Sequence, residues 1–286
     1  MEEIRQEAGG EMKVVLFCGG LGLRLREYSD QIPKPMVEIG YRPLLWHVMK
    51  YYASYGHKDF ILCLGYRGDI VKKYFLEYNE CTSNDFVLSG GGKNLQLLGS
   101  DIEDWRVTFV DTGLHSNIGQ RLKAVEKHLE GEEVFLANYS DGLSDVPLDK
   151  MLEEFYRHNK VGSFVSVQPT QSFHVVSLKE GMMVDGIKHL SKAGIWINGG
   201  FFIFKKDIFK YIQRGEELVE EPFRRLIGES QLISYKYNGF WVAMDTFKDK
   251  QFLDDMYSKG NALWEIWKNN NTANNGTEYV MPSEKG

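Results

Sequence analysis

The chain has 286 residues, enough to bury a sizeable core in one large domain or two small ones. With 43% hydrophobic and 26% charged residues it has the composition of a soluble globular protein. A net charge of −6 argues against a general nucleic-acid binder, which would be basic, yet leaves room for a local cationic pocket.

In chain order, Lys13–Cys18 predicts a short apolar strand, Leu44–Tyr55 a helix, and Phe60–Leu64 a second strand. Asp69–Tyr78 has helical spacing, Trp105–Val110 alternates as a strand does, and Gly119–Leu129 returns to helical spacing. Val134–Ala137 is a strand running into Ser140, Asp141 and Gly142. Leu148–Asn159 is helical and Gly162–Val167 extended. From Phe173 the texture turns β-rich. Residues 175–190 read as strand, turn and strand, and Ile195–Lys205 is extended through Asn198, Gly199 and Gly200. Glu216–Ile227 is predicted helical, Leu232–Tyr237 a strand followed by Gly239–Thr246, and Phe247–Ser258 a closing helix.

Alternating strands and helices argue for an α/β fold, a mostly parallel Rossmann-like sheet with helices on both faces and a β-rich C-terminal elaboration. The expected organisation is a single domain over 12–267, with residues 173–245 as its β-rich part and 268–286 as a disordered, asparagine-rich tail. The N-terminus, MEEIRQEAGGE, is polar and acidic, unlike a signal peptide, and no uninterrupted apolar run reaches the roughly 18 residues of a membrane span. Cys18, Cys63 and Cys81 form neither a disulfide framework nor a zinc pattern. The expected setting is cytoplasmic, with no membrane or nucleic-acid partner.

The stretch LFCGGLGLRLREYSDQIPKPM joins the first strand to Gly19, Gly20 and Gly22, then to Arg24, then to Lys34 between Pro33 and Pro35. It is neither a P-loop nor a G-x-G-x-x-G fingerprint, since Leu25 stands where the third glycine would be. Two readings of the glycines stand: a tight strand-to-helix turn, or an anion-binding concavity of backbone N–H groups. Two cations beside such a loop suit a triphosphate, Arg24 as a planar fork and Lys34 as a point charge held by stiff prolines. Asp141 and Asp245 each follow a strand; each is open to an Asx turn, and together they could hold one hard cation. Asp145 is read as the cap of the helix that starts after Pro147.

The combination GGLGLRL…PKPMVEIGYRPLLWHVMKYY, FILCLGYRGDIVKKYF, WRVTFVDTG, GQRLKAV, YSDGLSDV, WINGGFFIF and GFWVAMDTFKDKQFL resembles the sugar-phosphate nucleotidyltransferases, in particular the glucose-1-phosphate cytidylyltransferases, over roughly residues 12–267. The resemblance implies Mg²⁺-dependent transfer of CMP from CTP to a small phosphorylated molecule, with release of pyrophosphate, by a homo-oligomeric enzyme. It implies that Asp141 and Asp245 bind the metal. The nucleotide would lie against Gly19, Gly20, Leu21, Gly22, Leu23, Arg24, Lys34, Gly119, Arg121 and Asp141, with Arg24 and Lys34 catalytic. A non-catalytic nucleotide-binding protein on the same fold is the reading of another class, and the presence of all four of Arg24, Lys34, Asp141 and Asp245 weighs against it.

The chain departs from the family pattern at Leu23, where a hydroxyl residue is usual, and on the acceptor side. There the family's Glu-Lys-Pro triplet is replaced by Lys188, His189 and Leu190, and its aromatic-Gly pair by Phe173-His174. The candidate acceptor residues are therefore His174, Lys188, His189, Lys192, Asn198 and Gly199. A non-glucose phosphate or phosphonate is the alternative acceptor.

Overall fold

The computed structural model describes residues 10–20, 32–99, 101–169 and 173–269. Leu21, Gly22, Leu23 and Arg24 lie outside them, as do residues 270–286 of the expected tail.

The central sheet is built on β1 (Lys13–Phe17), whose side chains alternate between two cores. It pairs in parallel with β2 (Asp59–Leu64) on one side and β6 (Val134–Tyr139) on the other, and β2 pairs in parallel with β5 (Arg106–Asp111). Between β2 and β5 lies a hairpin of β3 (Phe86–Ser89) and β4 (Asn94–Leu97) outside the main sheet. Beyond β6 the direction changes. β12 (Phe202–Lys205) runs antiparallel to β6 and to β8 (Gly162–Val167). β11 (Ile197–Asn198) continues the same edge of β8 past a bend at Gly199 and Gly200, and β13 (Leu232–Tyr237) pairs in parallel along its other edge. Four of the seven pairings are parallel, so the mostly parallel sheet holds, with an antiparallel seam at β12.

Helices cover both faces. Val14 and Leu16 face a core closed by α1 (Leu44–Ser54), α2 (Gly68–Leu76), α4 (Leu148–His158) and α6 (Phe247–Ser258). Val15 and Phe17 face a second core closed by α3 (Ile118–Ala124) and α5 (Glu221–Gly228). The alternation is the reason one short strand can serve two layers: each side receives every second side chain.

Several boundaries differ from expectation. The helix expected over Gly119–Leu129 stops at Ala124 and is followed by a 3₁₀ turn, Glu126–Leu129. The helix expected from Glu216 begins at Glu221, because Pro222 fits only the first turn. Asp145 does not cap α4, whose N-cap Pro147 receives no side-chain bond. Its carboxylate instead accepts from the Tyr237 hydroxyl (2.5 Å) and the Phe240 N–H (2.9 Å).

Residues 173–189 fold into a projecting hairpin of β9 (His174–Leu178) and β10 (Val184–His189). Two short strands, β7 (Gly142–Ser144) and β14 (Trp241–Ala243), form an antiparallel ribbon apart from the main sheet. That ribbon assembles the site.

Candidate functional site

The carboxyl ends of β1, β2, β5 and β6 form one edge of the sheet, the edge at which open α/β sheets bind ligands. β6 delivers Asp141 there. Ser140 fixes the approach by donating its hydroxyl to the Phe17 carbonyl at the end of β1 (2.8 Å). Immediately after Asp141 the chain enters β7, whose partner β14 runs the opposite way. Gly142 faces Ala243, and the Met244 N–H donates to the Asp141 carbonyl (2.8 Å). An antiparallel ribbon returns the chain to its starting end, so Asp245 emerges beside Asp141. Asp245 is held from its other side by the capping box of α6. The Asp249 carboxylate accepts from the Asp245 and Thr246 N–H groups, and the Thr246 hydroxyl accepts from the Asp249 N–H.

Lys34 completes the cluster. Its Nζ donates to Asp141 Oδ2 at 2.6 Å and to Asp245 Oδ1 at 2.7 Å. It sits on a 3₁₀ turn, Lys34–Met36, entered through Pro33, with Pro35 and Met36 buried beneath it. The turn fixes the backbone, and the side chain, only 14% exposed, reaches across to the two carboxylates. Burial alone would push the ammonium pKa down. The Asp141 and Asp245 carboxylates outweigh it and hold Lys34 above the ordinary lysine value, so the group stays charged.

This donor set suits a hard divalent cation. Mg²⁺ is bound through one or two carboxylates with substrate phosphates and waters completing its shell, and here two carboxylate oxygens from separate segments already converge on one cation. Among the described residues no group of three or more His, Cys, Asp or Glu gathers as a metal site, here or elsewhere, so a cation at this pair would take the rest of its shell from phosphates and waters.

The other expected nucleotide residues have structural partners. Arg121 is 3% exposed, and its guanidinium donates to the carbonyls of Leu64, Gly113, Gly19 and Leu114 and to the Thr112 hydroxyl. It ties the ends of β1, β2 and β5 together. A Cβ on Gly19 would lie 2.1 Å from Arg121 Nη1, so glycine is required there by the guanidinium. Gly119 is closed off too: a Cβ would lie 2.3 Å from the Glu216 carbonyl. Gly20 is exposed, with open space where a Cβ would be.

On the acceptor side the structure divides the candidates. His174 lies opposite His189 across the hairpin, their rings 5.3 Å apart and nearly perpendicular, whereas Lys188 pairs with Val175. Neighbouring strand residues point to opposite faces, so the two histidines share one face and Lys188 the other. Lys188 and Lys192 are exposed. Asn198 and Gly199 are at the sheet edge. Asn198 accepts from the Gly200 N–H (2.9 Å) and donates to the Tyr139 hydroxyl (3.3 Å), while the Gly199 carbonyl accepts from the Trp241 indole (2.8 Å). Tyr139 and Trp241 were not singled out from the sequence. Tyr139 sits two residues before Asp141 in YSDG, and burial raises its hydroxyl pKa, keeping it neutral. Trp241 opens the ribbon that carries Asp245.

With the strand-end carboxylates and their lysine in view, the relationship is direct. The family model described as nucleotidyl transferase matches residues 13–254, and the chain belongs to that family: it is a nucleotidyltransferase. It is 36% identical over 258 residues to the glucose-1-phosphate cytidylyltransferase of Salmonella typhimurium, a match covering 90% of this chain and 100% of that one. The mannose-1-phosphate guanyltransferase of Hypocrea jecorina is 28% identical over 250 residues, 85% of this chain and 62% of that protein. Among solved structures, a UDP-glucose pyrophosphorylase complexed with UDP-glucose shares the fold at a TM-score of 0.63 and 16% identity, over 88% of this chain and 100% of the other.

Proposed function

We propose that this nucleotidyltransferase is a Mg²⁺-dependent cytidylyltransferase that transfers CMP from CTP to a small phosphorylated acceptor. The observation carrying the reading is the pair Asp141 and Asp245 converging on Lys34 at the carboxyl edge of the sheet. The choice of CTP, and of glucose 1-phosphate as first acceptor, rests on the cytidylyltransferase matched along nearly the whole chain. An acceptor phosphate oxygen attacks the α-phosphorus, the bond to the bridging oxygen breaks, and pyrophosphate leaves. Asp141 and Asp245 would hold Mg²⁺, which when bound would neutralise triphosphate charge. Lys34 offers its ammonium to the α-phosphate, and Arg24 its guanidinium to oxygens of the α-phosphate and of the departing pyrophosphate. Positioning and charge neutralisation then supply the catalysis.

A second acceptor reading has its own support. Lys188 brings a cation where the family has a carboxylate and His174 brings bulk where it has a glycine, with His189 in the place of the family's lysine, which favours a smaller or more anionic phosphate or phosphonate. Assembly into a homo-oligomer is supported by two amphipathic hairpins. Val176, Leu178, Val184 and Ile187 on β9–β10, and Leu88, Leu95 and Leu97 on β3–β4, form exposed apolar faces that a second copy would cover. A cytoplasmic setting, where CTP is available, completes the proposal; among the described residues no helix is long and apolar enough to cross a membrane.

The test is pyrophosphate release with CTP, UTP, dTTP and GTP against glucose 1-phosphate and a panel of other phosphates and phosphonates. Preference for CTP with at least one acceptor is expected. Equal or better turnover with another nucleotide would overturn the cytidine assignment.

A further inference from the structure

We infer that Lys34 is an exchangeable counter-ion which occupies the divalent-cation position between Asp141 and Asp245 until a triphosphate draws it away, so that the metal enters only together with the nucleotide. The inference rests on reading these three residues as the metal and triphosphate site.

Three observations carry it. First, the ammonium contacts one oxygen of each carboxylate, at 2.6 and 2.7 Å, and so fills the gap between them in which a metal bridging both would sit. Second, the lysine backbone cannot withdraw. Pro33 and Pro35 flank it, Pro35 and Met36 are buried, and the turn is closed by the N–H groups of Met36 and Val37 donating to the carbonyls of Pro33 and Lys34. Only the four-carbon side chain can move, and it pivots about a fixed point beside the site. Third, the backbone carrying each carboxylate is anchored independently of Lys34, at Asp141 through Ser140 and the ribbon and at Asp245 through the capping box of α6. Removing the ammonium therefore leaves the two aspartates side by side.

Charge then decides the order of events. Two carboxylates and one ammonium sum to a single negative charge. A divalent cation arriving alone must take the lysine from both carboxylates it now holds, or sit as a second cation beside it. Arriving with a triphosphate, it brings phosphate oxygens to which the same ammonium can turn. Lys34 is thus a positioning residue for the metal as well as a phosphate contact. It keeps two like charges together without metal and sets the site's preference for the metal–nucleotide complex over the free ion.

The test uses Mn²⁺ alone, with no nucleotide, titrated into the full-length protein and followed by loss of the free-ion EPR signal. Wild type is expected to bind weakly and Lys34→Met at least about tenfold more tightly, equivalent to about 1.4 kcal/mol. Adding Asp141→Asn to Lys34→Met should abolish the gain. A lysine that stayed on the carboxylates and only repelled the metal would raise affinity too when removed, and the ammonium resonance described below separates the two cases. Equal or weaker Mn²⁺ binding by folded Lys34→Met would overturn the inference. Should that variant not fold, the wild type labelled with ¹⁵N at lysine gives a second readout. The Lys34 ammonium resonance should stay in place with Mg²⁺ alone and move on addition of Mg²⁺ with CTP; displacement by Mg²⁺ alone would overturn the inference equally. Failure of the cytidylyltransferase reading is distinguishable: pyrophosphate release would then favour another nucleotide or be absent while the Mn²⁺ contrast persisted.

Discussion

Gly19→Ala combined with Arg121→Met separates the two readings of the glycine loop. An alanine Cβ at position 19 would lie 2.1 Å from Arg121 Nη1 and 2.2 Å from Cζ. Comfortable contact is about 3.5 Å, so one group must retreat by more than about 1 Å. The guanidinium has little freedom to do so. Nη1 is held by Leu64 O (3.1 Å), Thr112 Oγ1 (2.7 Å) and Gly113 O (2.9 Å), and Nη2 by Gly19 O (2.9 Å). Breaking two or three of these charge-assisted bonds should cost Gly19→Ala about 3 kcal/mol or more. Arg121→Met should cost about 3 kcal/mol, because it strands the carbonyls of Gly19 and Gly113. In the double variant the clash is gone, and Gly19→Ala should add less than about 1 kcal/mol, a coupling of at least about 2 kcal/mol against the roughly 0.5 kcal/mol scatter of independent sites. Urea denaturation of the four proteins at pH 7 measures it. Additivity within that scatter would refute the claim that Gly19 exists to admit Arg121. If the cycle couples and pyrophosphate release by the double variant is also lost, the loop serves the ligand as well.

Asp141→Asn and Asp245→Asn should each lower turnover by orders of magnitude while leaving the melting transition in place; near-full activity with Mg²⁺ in both would remove them from the metal. The acceptor residues should separate by face: His174→Gly with His189→Lys, and Lys188→Glu alone, are expected to change kcat/KM for glucose 1-phosphate by different factors, and identical effects would refute the division seen in the hairpin. Stability should fall as pH drops from about 6.5 towards 4. His47 and His57 are buried, and burial depresses each pKa to about 4. His47 accepts from the Trp264 indole through Nδ1 and meets the Ile39 carbonyl through Nε2, and His57 Nδ1 accepts from the Met12 N–H. The unfolded chain therefore takes up protons in that window while the folded one does not, costing about 3 kcal/mol for His47 alone. A flat unfolding free energy across that range would contradict it.

The strands β1, β2 and β6 were legible because buried strands read as short apolar runs ending in small or polar residues. The hairpin β3–β4 was not, because three glycines interrupt it and its apolar side chains are exposed, so no burial imprinted a pattern. Residues 216–220 have helical composition, yet Glu217 uses its carboxylate on the N–H groups of Ile118 and Leu218, and the helix waits for Pro222. At the site, spacing alone left Asp141 and Asp245 open between two Asx turns and one shared cation, and resemblance to a known family favoured the cation. What no spacing could supply was the ribbon between them, three residues on each side, or Lys34 lodged in the gap. Both are products of pairing across long stretches of chain.

That ribbon has an evolutionary reading. Ser144 and Trp241 face each other at its far end, so the chain between them leaves and returns through one clasp. The enclosed segment includes the β9–β10 hairpin with His174, Lys188 and His189. The hairpin's length and side chains can drift without altering the spacing of the two aspartates, which the clasp sets together with Ser140 and the cap of α6. Selection is then free to retool what is recognised while the phosphate chemistry stays still, as in a lathe whose chuck is changed but whose headstock is not.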